Sequence, residues 1–197
     1  MLEVAILGLL KQQPMHGYQL SRELGDSLGG FWRVSYGSLY PTLRRLEGDG
    51  LVAPEPGEAA GGRRKTVYRI TDRGEGTFLE LLQETPADSS AEDTRFRVRF
   101  AFFRYLPPET RIRLLERRRA FLEERLRTVD GSLQAGRARG DDYTIALMEH
   151  GRAATESDID WLGGLIRTER EKTNRDLERG GTRTRRSAVL SRKEHAS

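Results

Sequence analysis

The most constraining feature of this chain is a short leucine stripe interrupted by a proline, in VSYGSLYPTLRRLEGDGLV over residues 34–52. At 100° per residue, Leu43 and Leu46 lie within about 40° of Leu39, so the three leucines form one face of a helix. Pro41 lies between them, and a proline deep inside a helix costs about 3 kcal/mol. The helix is therefore predicted to begin near residue 37 or 38, which places Pro41 in the first turn.

The other faces of this helix carry small, hydroxyl and basic side chains, with Ser35 or Ser38 as the predicted N-cap. Small residues allow a close approach, hydroxyl groups reach phosphates or base edges, and arginines pair with guanine through two hydrogen bonds. A merely solvated helix face has a similar composition. The polar set consists of Gly37, Ser38, Pro41, Arg44 and Arg45 opposite the leucines, with Tyr36, Tyr40 and Thr42 on the flanks.

Two more helices are predicted before this one. The first is compact and apolar and ends at Pro14, and the second runs from about Gly17 to Leu28. Gly29 and Gly30 belong to a breaker-rich link that follows. The side chains placed on or near the inner faces are Ile6, Leu7, Leu9 and Leu10 in the first helix, and Tyr18, Leu20, Leu24 and Leu28 in the second.

A hairpin and a fourth helix are predicted after the third helix, which ends at Gly48 and Gly50. Two short β-type runs, LVA and TVYRI, flank a long Gly/Pro/Ala tip that ends in Arg63, Arg64 and Lys65. Thr71 is the predicted N-cap of the fourth helix. The order of helix, helix, helix, hairpin and helix is that of a winged helix-turn-helix. In that fold the N-terminal part of the third helix, here residues 35–42, points at base edges, and the basic tip reaches the DNA backbone or the minor groove.

The C-terminal half is predicted to consist of long helices. The polar segment 84–94 marks a domain boundary. The segment after this boundary, RFRVRFAFFRYL, fits either a strand or a helix, and the helices predicted on either side of it favour a helix. Two long amphipathic helices follow, one after Pro107 and Pro108 and one from about Tyr143 to Leu177. The two helices carry more apolar surface than they can bury against each other, which predicts a dimer interface. The stripes are Leu115, Leu122, Leu126, Val129 and Leu133, then Ile145, Met148, Ile159, Leu162 and Ile166.

Composition narrows the functional classes. The 197 residues include no cysteine, so disulfides, thiolate metal sites and thiol redox sensing are excluded. The first apolar run has seven residues and Glu3 precedes it, which predicts a cytoplasmic protein without a membrane span. Residues 1–84 carry a net charge of −1 and residues 85–178 are neutral, so the net +4 comes from the +5 of residues 179–197. This tail is predicted to be disordered, and either adds nonspecific DNA affinity or only solubilises the chain.

Three segments of the N-terminal half resemble the PadR family of bacterial transcriptional regulators. They are LEVAILGLLKQQPMHGYQLSREL, SYGSLYPTLRRLEGDGLV and RKTVYRITDRGEGTF. The resemblance is strong over residues 1–84 and looser through the long C-terminal helices, as in the larger subclass of the family. It implies a homodimer, usually a repressor, on a palindromic operator. The DNA contacts it implies are Tyr18, Tyr36, Ser38, Tyr40, Thr42, Arg64 and Lys65. Ser35 and Arg45, from their places on the third helix, complete the set of predicted DNA contacts.

The predicted architecture is mainly α-helical. It consists of a winged helix-turn-helix domain (residues 1–84), a linker (85–94), a helical dimerisation domain (95–178) and a basic tail (179–197). The predicted function is ligand-responsive transcriptional regulation as a homodimer. The alternative is a winged helix that docks another protein. Trp32 and Trp161 either stack on an aromatic effector or pack in the core. No metal, cofactor or enzymatic activity is expected, because no nucleophile–base pair or metal-spaced cluster appears.

Overall fold

The computed structural model describes residues 1–27, 36–60, 63–84, 92–137 and 142–194, with the backbone alone at 27, 56–60, 63–65, 92, 135–137 and 176–194. The chain divides into two units, Met1–Leu106 and Pro107–Ser197. The first contains α1 (Leu2–Leu10), β1 (Met15–His16), α2 (Gly17–Ser27), α3 (Tyr36–Gly48), β2 (Val52–Ala60), β3 (Arg63–Ile70), α4 (Asp72–Gln83), α5 (Glu92–Phe100) and a 3₁₀ turn at Phe103–Tyr105. The second contains α6 (Pro108–Arg137) and α7 (Asp142–Glu194). The mainly α-helical winged helix-turn-helix fold is confirmed.

The leucine stripe of α3 lies in the core of the first unit. Leu39, Leu43 and Leu46 are completely buried, as predicted. The helix begins at Tyr36, so Pro41 is its sixth residue rather than a member of the first turn. Ser38 lies inside the helix, and its prediction as the N-cap is therefore wrong; its backbone carbonyl accepts a hydrogen bond from Thr42 Oγ1 at 2.8 Å. The other candidate cap, Ser35, lies outside the described residues.

A three-stranded antiparallel sheet with the order β1-β3-β2 packs beside these helices. The strand β1 has two residues and no sequence pattern of its own, and it was not predicted. The hairpin of β2 and β3, hereafter the wing, is longer than predicted, because most of the presumed Gly/Pro/Ala tip pairs as strand around an irregularity between Pro56 and Ala59. The Gly, Pro and Ala residues of this segment favour a loop, but their pairing with β3 outweighs that preference.

The junction between α3, β2 and α4 is held by backbone and side-chain hydrogen bonds. Gly50 adopts a positive φ of 68°, a conformation that glycine reaches without strain, and turns the chain from α3 into β2. Thr71 caps α4 as predicted, because its hydroxyl oxygen accepts a hydrogen bond from the Gly74 amide at 3.0 Å. The same hydroxyl donates to the backbone carbonyl of Gly50 at 2.8 Å. The wing is thereby fixed to α3 at its base.

The helix α5 and the 3₁₀ turn belong to the first unit, although the predicted domain boundary at 84–94 assigned them to the second. The Phe102 ring is 2% exposed and lies directly over Gly8 of α1, where a Cβ atom would approach it to 2.5 Å. It also meets the Phe78 ring of α4 edge-on, with 5.7 Å between ring centroids. The segment is helical, as favoured from its neighbours, and its aromatic residues cover the surface that α1 and α4 share.

The second unit is a hairpin of two long helices. Ion pairs of Arg111 with Glu169 and of Asp130 with Arg152 link α6 to α7 in an antiparallel arrangement. The backbone of α7 is helical through Glu194, which differs from the disordered tail predicted from residue 179; arginine, alanine, leucine, lysine and glutamate there are good helix formers. The most buried members of the stripes are Leu115, Leu122, Leu133, Leu162 and Ile166.

None of the helices in the described ranges is both long and apolar enough to cross a membrane.

Candidate nucleic-acid interface

The polar surface of α3 is organised as three stripes. At 100° per residue, Tyr36 and Tyr40 lie on the flank next to the sheet. Gly37, Pro41 and Arg44 form the crest, roughly opposite Leu39. The third stripe is the flank next to α1, and it contains Ser38, Thr42 and Arg45. The three stripes together carry tyrosine, small, hydroxyl and cationic side chains, and they lie on the sides of α3 that do not face the core.

The tyrosine flank is a stacked pair that faces solvent. The rings of Tyr36 and Tyr40 are 6.3 Å apart between centroids, with an interplanar angle of 21°. Tyr36 is 51% exposed and Tyr40 is 40% exposed. Stacking holds the two rings together, so their hydroxyl groups are presented as a pair.

Tyr40 is positioned by Gly17, the first residue of α2. A Cβ atom at Gly17 would lie 3.0 Å from both a ring carbon and the hydroxyl oxygen of Tyr40, so the ring is seated on the glycine backbone. Tyr68 of β3 lies near the Tyr40 ring. The pKa of Tyr68 is raised mainly by burial and further by Glu47 and Tyr40, whereas Arg44 lowers it. The start of α2, the wing and α3 therefore meet at Tyr40.

The start of α2 is itself fixed to the wing. The His16 backbone amide donates to Oε1 of Gln19 at 2.9 Å, and its ring Nδ1 lies 3.2 Å from the backbone carbonyl oxygen of Thr66. Tyr18 follows directly and is 67% exposed, so its prediction on or near the inner face of α2 is wrong. Tyr18 was also predicted to contact DNA, and that contact stays a prediction.

The arginines of α3 differ in their partners. Arg45 donates from Nη2 to Oε2 of Glu3 in the first turn of α1 at 2.9 Å. The neighbouring Arg44 has no ion-pair partner within the described part of the chain. It was considered as part of the polar face but not included among the predicted contacts. The sequence signal that could have separated Arg44 from Arg45 is its position on the crest, between Pro41 and Gly48.

The structure places the remaining predicted residues apart from α3 or leaves their side chains undescribed. Arg64 and Lys65 lie in β3, where only the backbone is described, and the Cα partner of Arg64 is Ala59. Trp32 lies outside the described residues, as does Ser35. Trp161 lies on α7 in the second unit and is 47% exposed, so it is not a core residue there. Among the described residues no group of three or more histidine, aspartate or glutamate side chains is arranged to hold a metal ion.

The sequence carries two known modules in series. Residues 6–80 match the family described as transcriptional regulator PadR-like. This part of the chain is a PadR-like domain. Residues 94–168 match a second family, described as virulence activator alpha C-term. The resemblance seen in the sequence is thus confirmed, and the PadR-like part spans α1 to α4 with α3 and the wing at its centre.

Two curated relatives are similar to this chain. The negative transcriptional regulator PadR of Bacillus subtilis is 28% identical over 93 residues, which is 47% of this chain and 51% of the relative. The chain thus spans about half the length of that relative. A probable transcriptional regulator of Mycobacterium tuberculosis is 27% identical over 183 residues, covering 85% of this chain and 97% of the relative.

Among solved structures, Bacillus subtilis PadR in complex with operator DNA is 22% identical, with a TM-score of 0.40; the match covers 85% of this chain and 97% of that chain.

Proposed function

We propose that this PadR-like chain is a repressor that binds a palindromic DNA operator as a homodimer, with α3 in the major groove and the wing on the backbone. The observation that carries the proposal is the surface of α3, where exposed tyrosines, hydroxyls and Arg44 project from a helix whose leucines are completely buried. Such a helix reads base edges with its first turns while its opposite face is fixed in the core. Bacillus subtilis PadR, which is 28% identical to this chain over 93 residues, has been solved in complex with operator DNA.

The homodimer is supported by a second apolar stripe on α7. Leu162 and Ile166 face the core of the hairpin, whereas Leu147 and Trp161 lie about 100° around the helix and are 71% and 47% exposed. Leu147, Ala154 and Trp161 are spaced by seven residues, which is the repeat of a helix that packs along a second helix. Tyr143 extends the stripe and is 91% exposed. A second copy of the chain would cover this stripe and set two α3 helices one turn of DNA apart.

Ligand responsiveness is supported by a groove in the second unit. Asp130, Leu133 and Gln134 of α6 and Glu149 and Arg152 of α7 line a space of about 560 Å³, which is large enough for a small organic molecule. Trp161, the predicted effector contact, is not among these lining residues. An effector bound to α6 and α7 would act by favouring one of two dimer geometries.

The experiment that tests the proposal is selection of bound duplexes from a random pool, repeated at two salt concentrations. Enrichment of a palindrome with half-sites about ten base pairs apart would support it. Binding without sequence preference that vanishes with salt would contradict it, because backbone charge alone would then account for the affinity. In that case the exposed tyrosines would fit the alternative, a winged helix that docks another protein.

The wing is expected to supply sequence-independent affinity. Replacing Arg64 and Lys65 together by alanine removes two cations, so affinity should fall by a similar factor for every duplex. The slope of log affinity against log salt should become shallower by about two units. Filter binding with the selected duplex and a scrambled duplex measures both quantities. A change in sequence preference at one base position would instead assign these side chains to base reading.

Gly17 is expected to act through Tyr40. In a Gly17→Ala variant the new Cβ atom displaces the Tyr40 ring, which is free to swing because it is 40% exposed. Affinity for the selected duplex should fall, while the free energy of unfolding should change by less than about 1 kcal/mol. The matched control is Gly25→Ala in the same helix, where no atom lies within 4 Å of the new Cβ. Equal binding by the two variants would show that the position of Tyr40 is unimportant.

A further inference from the structure

An ion pair ties α3 to the beginning of α1. It joins Arg45, on the flank of α3 that also carries Ser38 and Thr42, to Glu3 across a sequence separation of 42 residues. The Arg45 side chain is 56% exposed and the Glu3 side chain is 23% exposed, so the pair is open to solvent on the arginine side. Arg45 is therefore close to the surface proposed to meet DNA, but its guanidinium is already occupied.

Glu3 is the carboxylate in a cationic neighbourhood. Burial lowers the pKa of the Met1 amine, Glu3 raises it, and three arginines from α5 and α3 lower it further, namely Arg95, Arg99 and Arg45. Glu3 and the three arginines thus all lie close enough to influence the Met1 amine. A carboxylate and a phosphate present similar oxygen acceptors to a guanidinium, so Glu3 occupies the position toward Arg45 that a DNA phosphate would take.

We propose that Glu3 withholds Arg45 from the DNA backbone and so lowers the nonspecific affinity of α3. This inference rests on the proposed function. With Arg45 held by Glu3, binding depends more on base contacts from the tyrosine flank and the crest. The discrimination between operator and other sequences is larger as a result, because affinity from phosphate contacts is common to all duplexes.

The test measures the salt dependence of binding to one mixed-sequence duplex that lacks the selected motif. A Glu3→Gln variant frees Arg45 for one additional phosphate, so the slope of log affinity against log salt should steepen by about 0.9. Raising the salt concentration fourfold should then cost this variant about 3.5 times more affinity than wild type. Binding at low salt should be about two- to five-fold tighter, as befits release from an exposed ion pair.

A matched control separates this effect from bulk charge. Glu75→Gln makes the same charge change in another ion pair, which joins Glu75 of α4 to Nζ of Lys11, the residue that follows α1, at 2.6 Å. It should leave the slope at the wild-type value. Glu3→Gln combined with Arg45→Gln should lose the steepening.

Two results would overturn the inference. Equal slopes for Glu3→Gln and Glu75→Gln would mean that only net charge matters. Weaker binding by Glu3→Gln would mean that Glu3 orients Arg45 toward DNA instead of withholding it. Failure of wild type to bind any duplex at low salt is a separate outcome, because it contradicts the proposed function before the variants are compared.

Discussion

Replacing Leu147 by glutamate is expected to convert the protein from dimer to monomer at micromolar concentration. The side chain is 71% exposed in the single chain and would be covered by the partner in the proposed dimer. Each copy would lose about 1.5–3 kcal/mol of apolar burial and would also have to bury a carboxylate. Because a two-fold interface contains the residue twice, both losses count twice. Sedimentation equilibrium measures the change directly.

The same substitution should weaken operator binding by about 100-fold or more. A dimer binds its second half-site as an intramolecular step, and that advantage is lost in a monomer. The matched control is Ala146→Glu, the same new charge at the adjacent exposed position, which lies on neither stripe of α7. A Leu147→Glu protein that stays dimeric while Ala146→Glu behaves as wild type would place the interface elsewhere on the chain.

Replacing Phe102 by alanine is expected to destabilise the first unit by about 3–5 kcal/mol. The ring is 2% exposed, and its removal leaves a cavity between Gly8 of α1 and Phe78 of α4. The loss is a large fraction of the total stability of a domain of this size. Urea unfolding followed by circular dichroism should show a lower midpoint with the slope unchanged.

Phe100→Ala provides the comparison for that experiment. Its ring is only half-buried and packs on Phe96 and Phe103 within the same segment, so a clearly smaller loss is expected. If Phe102→Ala were no more destabilising than Phe100→Ala, the segment 92–106 would not be part of the first unit's core. A fragment ending at residue 84 would then be as stable as one ending at residue 106.

Local signals in the sequence predicted the elements of the first unit well. The spacing of Leu39, Leu43 and Leu46 identified a helix and its buried face, since periodicity depends on the sequence alone. Thr71 was identified as an N-cap because the preference for threonine there arises within one turn. The PadR-like motif residues added the resemblance to a family and the individual candidate contacts. Each of these features is decided by residues close together in the chain.

Features decided by distant residues were not predictable in the same way. The Glu3–Arg45 pair and the contact of Phe102 with Gly8 join residues that only the fold brings together. The two-residue strand β1 depends on β3, more than 50 positions later. Gly17 was recognised only as part of a sequence motif. Its physical role, which is to make room for the Tyr40 ring, depends on a distant residue and could be seen only in the structure.

The outer edge of the wing has a consequence for how neighbouring molecules meet. The backbone carbonyl of Thr66 points toward β1, where the His16 ring contacts it. Thr66 and its partner Pro56 in β2 are therefore not joined by backbone hydrogen bonds. The ring nitrogens of Pro54 and Pro56 therefore face away from β3, and neither carries a hydrogen to donate. A strand from another chain would find two missing donors along this edge. Two wings brought close together on adjacent sites would stay separate instead of joining into one continuous sheet.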